Sequence, residues 1–89
     1  MYLIVVVKQE HIDKGKIGSR SCPVALAIKE QTNSEYVSIG HKTGFIKGFG
    51  NFELDDATSE IIKNHDLFVQ TKGKEGKQMV PFSFETKEF

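Results

Sequence analysis

Apolar and polar positions alternate along the chain in two ways, and each implies a kind of element. Tyr2 to Val7 is an unbroken apolar run with four β-branched residues, which predicts a strand. Continuous rather than alternating hydrophobicity suggests a central position in a sheet, or a face closed by another subunit. Gln9 to Lys14 can form one helical turn, ended by Gly15, where a missing Cβ permits a left-handed conformation. Lys16 to Arg20 reads as loop. Ser21 or Cys22 caps the next helix, with Pro23 in its first turn, where the missing N–H costs nothing. Val24, Ala25, Leu26, Ala27 and Ile28 make that helix apolar nearly all round, and Thr32-Asn33-Ser34 ends it. Glu35 to Ile39 alternates as a strand, and Gly40-His41-Lys42-Thr43, followed by Gly44, reads as a turn. Phe45 to Lys47 and Phe49 to Leu54 continue as strands, Gly48 and Gly50 marking a bulge or a close backbone approach. Asp55 and Asp56 cap a further helix whose buried stripe is expected to be Ala57, Ile61, Ile62, Leu67 and Phe68. Lys72 to Lys77 is a polar loop. Met79 to Glu85 is a last strand, which Pro81 places at an edge or near its own start.

Residues 1–89 therefore form a single small α+β domain. The expected architecture is a four- or five-stranded, largely antiparallel sheet with two helices packed on one face. A helix apolar on nearly every side must be packed on more than one side. A monomer of this size is expected to leave it partly bare, so the helix and the opening strand together predict a homo-oligomer, a dimer or a tetramer.

Composition narrows the function classes. Twelve basic residues against twelve acidic ones lack the basic excess of a general nucleic-acid binder, so no long nucleic acid is expected as partner. A single cysteine excludes an internal disulfide framework and suggests a reducing compartment. The opening apolar run is too short for a signal peptide or a membrane span. The expected location is cytoplasmic, with no membrane partner.

Charge is segregated. Residues 36–52 contain Lys42, Lys47 and His41 but no acid, while residues 53–60 hold four acids. A neutral chain can in this way present a basic face. Lys14, Lys16, Ser19, Arg20 and Ser21 lie where a glycine-punctuated loop enters a helix. Helix-start amides lack partners within the helix, and the macrodipole there favours negative charge. An anion such as a phosphate is the expected guest. His11 is expected to hydrogen-bond this loop or to contact the ligand through a donor nitrogen. His41, Lys42 and Thr43 complete the candidate ligand set with Phe45, one of three phenylalanines (with Phe49 and Phe52) that could stack on a nucleobase if exposed. The core reading is the commoner one for any single ring.

Cys22 at a helix start, with His11 or His41 as base, has the elements of a nucleophile. No protease or oxidoreductase spacing supports that, and a small buried hydrophobe is the preferred reading. The three histidines are too scattered for a metal site, and the glycines match neither the phosphate-binding loop nor the dinucleotide fingerprint. No catalytic group, metal or cofactor is expected.

Gln9-Glu10-His11-Ile12-Asp13-Lys14-Gly15, then Ser21-Cys22-Pro23-Val24-Ala25-Leu26-Ala27-Ile28-Lys29-Glu30, then Pro81-Phe82-Ser83-Phe84-Glu85 together resemble a pattern in many small proteins of bacteriophages and prophages. The resemblance covers nearly the whole chain in order and spacing. It extends to the anti-CBASS sponge proteins, viral homo-oligomers that sequester the cyclic nucleotide alarm signals of bacterial immunity. It implies a non-enzymatic, immune-evasion protein in the cytoplasm of an infected host, with a cyclic dinucleotide as ligand. It assigns no ligand contact residue by residue. A sponge needs cations for two phosphates, surfaces for two bases and no catalytic group. A two-fold pair of protomers would suit a near-symmetric ligand. The rivals are an inhibitor of a host protein and a small nucleic-acid-binding regulator.

Overall fold

The computed structural model describes residues 3–16, 18 and 20–86. The elements run β1 (Ile4–Val7), α1 (Gln9–Lys14), α2 (Pro23–Thr32), β2 (Val37–Ile39), β3 (Thr43–Ile46), β4 (Gly50–Glu53), α3 (Asp56–Gln70) and β5 (Phe82–Glu85). The fold is α+β and every strand pair among the described residues is antiparallel. No helix among the described residues is long and apolar enough to cross a membrane.

The single four- or five-stranded sheet is corrected to two sheets. β1 pairs with β5 in a two-stranded ribbon, Val5 opposite Phe84 and Val7 opposite Phe82. β2, β3 and β4 form a separate meander, with Ile39 opposite Gly44 and Gly44 opposite Phe52. Among the described residues three helices rather than two accompany them, since the single turn at α1 is a helix in its own right.

Two features keep the sheets apart. α2 packs against both β1 and β2, so it lies between the ribbon and the meander. The outer edge of β1 is meanwhile closed by side chains. The Gln31 amide donates to the Ile4 carbonyl at 2.6 Å and accepts the Val6 N–H at 2.7 Å, and His11 Nδ1 accepts the Lys8 N–H at 2.9 Å. An edge satisfied in this way offers β2 no free ladder.

This placement also overturns the reason for expecting a second subunit over α2. Val24, Ala25, Ala27 and Ile28 are fully buried within one chain, because a helix between two sheets and beside α1 is covered on several sides at once. Burying a side chain such as Ile28 contributes about 1.5–3 kcal/mol. The apolar surplus lies instead in β1, whose burial alternates: Val5 and Val7 face the core while Ile4 is 62% and Val6 43% exposed.

Helix ends follow local chemistry. Cys22, not Ser21, caps α2, its Sγ accepting the Ala25 N–H, and left-handed Asn33 closes the other end. Asp55 caps α3 through the Thr58 N–H at 2.7 Å. The α3 stripe is shifted from the expected one. Thr58, Ser59, Ile62 and His65 are buried, while Ala57 and Leu67 are exposed. With 3.6 residues per turn, Leu67 lies well round the helix from Ile62.

Two glycines act through space rather than through a left-handed backbone. Gly15 is extended (φ −69°), and a Cβ there would lie 2.6 Å from the Pro23 ring. Gly44 lies within β3, and its Cβ would meet the Phe52 ring at 2.5 Å. Gly48 and Gly50 are instead required by positive φ, with nothing near a Cβ.

Candidate functional site

The helix start expected to hold an anion is closed by the chain itself. The Gly18 carbonyl accepts the Ser21 and Cys22 amides, at 3.3 and 3.0 Å. Pro23 has no N–H, and Cys22 Sγ takes the amide of Ala25 at 3.4 Å. Ser21 is exposed and its carbonyl accepts the Lys16 N–H at 2.8 Å. The first-turn amides are therefore turned towards internal acceptors. Lys14 and Lys16 are exposed, and Ser19 lies outside the described residues.

His11 is an internal fastener rather than a ligand contact. It is buried, Nδ1 accepts the Lys8 N–H, and Nε2 meets Glu30 Oε2 at 2.5 Å. Because Nδ1 is an acceptor, the ring proton sits on Nε2 and is donated to Glu30. This pair, with a contribution from Lys8, holds the Glu30 carboxyl below its ordinary value, the His11 hydrogen bond being the main cause. Glu10, His11 and Glu30 bring three ligand-type atoms within 4.8 Å of one another. A metal on Nε2 would force the ring proton onto Nδ1, against the Lys8 N–H, so the donor set does not fit an ion.

The hairpin residues separate into two clefts. His41 Nε2 meets Asp66 Oδ2 on α3 at 2.8 Å, at a cleft of about 330 Å³ with Gly18, Cys22, Ile39 and Ile62. Cys22 is buried, and that burial pushes its thiol above the ordinary value. An inaccessible, protonated thiol is the character of a packing and capping residue. Lys42 and Thr43 line another cleft, of about 490 Å³, beside Glu53, Asp56, Glu60 and Lys63. Its carboxylates oppose a phosphate.

Arg20 and Phe45 are brought together, through a residue the sequence reading left unassigned. The Arg20 guanidinium lies 4.7 Å from the centroid of the Tyr36 ring. Tyr36 meets Phe45 edge to face, with centroids 6.0 Å apart. Both rings keep about a third of their surface exposed, at 36% and 37%. Arg20 makes no ion pair with a carboxylate among the described residues. Tyr36 is positioned at the entry to β2, its carbonyl accepting the Lys47 N–H at 2.9 Å and the Ser34 hydroxyl at 3.0 Å. Phe49 is also partly exposed, whereas Phe52 belongs to the core. The signal for Tyr36 was present in the alternation: with Val37 and Ile39 inward, Tyr36 must point outward.

The result is a solvent-facing strip of one guanidinium and two aromatic rings on the outer side of the three-stranded sheet. It can stack planar groups and contact an anion at one end. Lys47 adds less charge than expected because Glu35 pairs with it at 3.0 Å. Comparison with protein-family models, with curated proteins and with solved structures finds no match for this chain.

Proposed function

We propose that the protein binds a small phosphorylated ligand carrying nucleobases, with a cyclic dinucleotide as the leading candidate, and sequesters it without cleaving it. In the phage setting that the sequence resemblance implies, it would lower the concentration of an immune signal in the host cytoplasm. The observation that supports this reading most directly is the Arg20–Tyr36–Phe45 strip. Stacking on exposed rings contributes about 1–3 kcal/mol per base in nucleic-acid binders, and a guanidinium offers a phosphate two parallel hydrogen bonds. Arg20 leads this assignment, with Phe45 retained and Tyr36 added. His11 is withdrawn from it. The pairing of Lys47 with Glu35 thins the basic face, which disfavours the nucleic-acid regulator.

Native mass spectrometry after incubation with a panel of cyclic nucleotides tests the proposal. Intact ligand on the protein is the expected result. Altered ligand would indicate an enzyme, and no bound ligand across the panel would leave inhibition of a host protein as the stronger reading. A lost charge-assisted contact costs about 1.5–3 kcal/mol. Arg20→Ala should therefore weaken binding roughly ten- to a hundredfold by calorimetry, while Lys63→Ala, on α3 in the acidic cleft, leaves it unchanged. Unchanged affinity in folded Arg20→Ala would remove the strip from the site.

A further inference from the structure

The outer edge of β1 carries a second recognition feature, independent of the ligand strip. Residues 4 and 6 direct their backbone groups away from β5, and the Gln31 side chain bonds the Ile4 carbonyl and the Val6 N–H. A carbonyl at one residue and an N–H two residues on are the two groups that a single residue of a parallel neighbouring strand engages. The Gln31 amide thus stands in for one residue of a missing strand. We infer that this edge is a self-association surface: β1 of a second copy replaces the Gln31 amide and pairs antiparallel with β1.

Several observations favour a second copy as the occupant. Among the described residues the ribbon has two strands, β1 and β5, so β1 has no neighbouring strand on its outer edge. A β1–β1 pair would give four strands in the order β5, β1, β1, β5. With Ile4 of one copy opposite Val6 of the other, identical strands satisfy each other's edge groups by two-fold symmetry. The same register gathers Ile4 and Val6 of both copies into one cluster on the outer face, where a single chain leaves them exposed. Lys8 of the two copies would lie at opposite ends, avoiding like-charge contact. The β5 edge is less suited: its outer face carries Ser83 and Glu85, and Pro81 precedes it, features that discourage edge pairing.

Gln31 is in this scheme a competitor for the edge, and the inference is tested by removing it. Sedimentation of the wild-type chain and of Gln31→Ala across a concentration series should show monomer–dimer equilibria, with the variant dimerising about tenfold more tightly or better, since no internal bonds need breaking. Ile4→Lys placed in the Gln31→Ala background should return the monomer, because it sets two charges in the apolar cluster. If Gln31→Ala proves too unstable, Gln31→Met keeps the length of the stem without either polar atom and makes the same comparison. A folded Gln31 variant that associates no more tightly than wild type overturns the inference. So does a dimer indifferent to Ile4→Lys.

Discussion

Cys22 shows how one residue can satisfy several demands at once. Its sulfur caps α2, its side chain is buried beside the His41–Asp66 cleft, and burial raises its thiol pKa. Removing the acceptor with Cys22→Ala should cost about 1 kcal/mol, the usual value of a helix cap, read as a shift in the denaturation midpoint. Iodoacetamide should label the native thiol far more slowly than the unfolded one at pH 7; equal rates would restore the nucleophile. Arg20 makes the complementary point. Its residue type suggested phosphate recognition, but only the tertiary structure places it over Tyr36.

At the level of elements, β3 is constrained from both sides. Gly44 lies between Ile39 on β2 and Phe52 on β4, and a Cβ would come within 2.8 Å of the first side chain and 2.5 Å of the second. Gly44→Ala should destabilise the protein by about 1–3 kcal/mol, as overpacking does, measured by urea denaturation. A neutral effect would mean that the Phe52 ring can swing aside. The glycine was readable as part of the Gly40–Gly44 turn, but the strand begins at Thr43. Turn propensity and close packing both select glycine, and a sequence alone does not separate them. α3 is a similar case. Its acidic start at Asp55 and Asp56 was readable from the sequence, whereas the buried face depends on how the helix is rotated about its axis.

Across the whole molecule, His65 links α3 to the segment before β5. Its Nδ1 accepts the Met79 N–H at 3.0 Å, and both residues are buried. Burial lowers the imidazole pKa, partly opposed by the neighbouring Asp66 carboxylate. The unfolded chain, near the ordinary value of about 6.5, therefore takes up the proton first. Stability tied to neutral His65 is complete above that value and is lost as pH falls through the lower folded-state value. The melting temperature should drop between pH 7.5 and 5.5. His65→Asn, which keeps an acceptor for Met79 but does not titrate, should flatten that part of the profile. An unchanged slope would assign the effect elsewhere. Glu30, whose carboxyl is held low chiefly by the His11 hydrogen bond, contributes in a more acidic window, below the ordinary carboxylate value of about 4.3.

The sequence by itself determined the α+β class, the largely antiparallel pairing, the start of α2 at Ser21 or Cys22 and the acidic start of α3 at Asp55 and Asp56. These follow from interactions a few residues apart, which periodicity and cap chemistry record. Tertiary structure decided the rest. The all-apolar α2 could be covered by a second subunit or by two sheets of its own chain, and the local pattern is the same for both. Gln31 and His11 are ordinary polar residues in sequence; they become strand-edge partners only when α1 and the end of α2 are brought beside β1. The strip of Arg20, Tyr36 and Phe45 likewise joins residues from a loop and two different strand regions. Contacts between distant segments depend on how elements pack, and no single window of sequence contains that information.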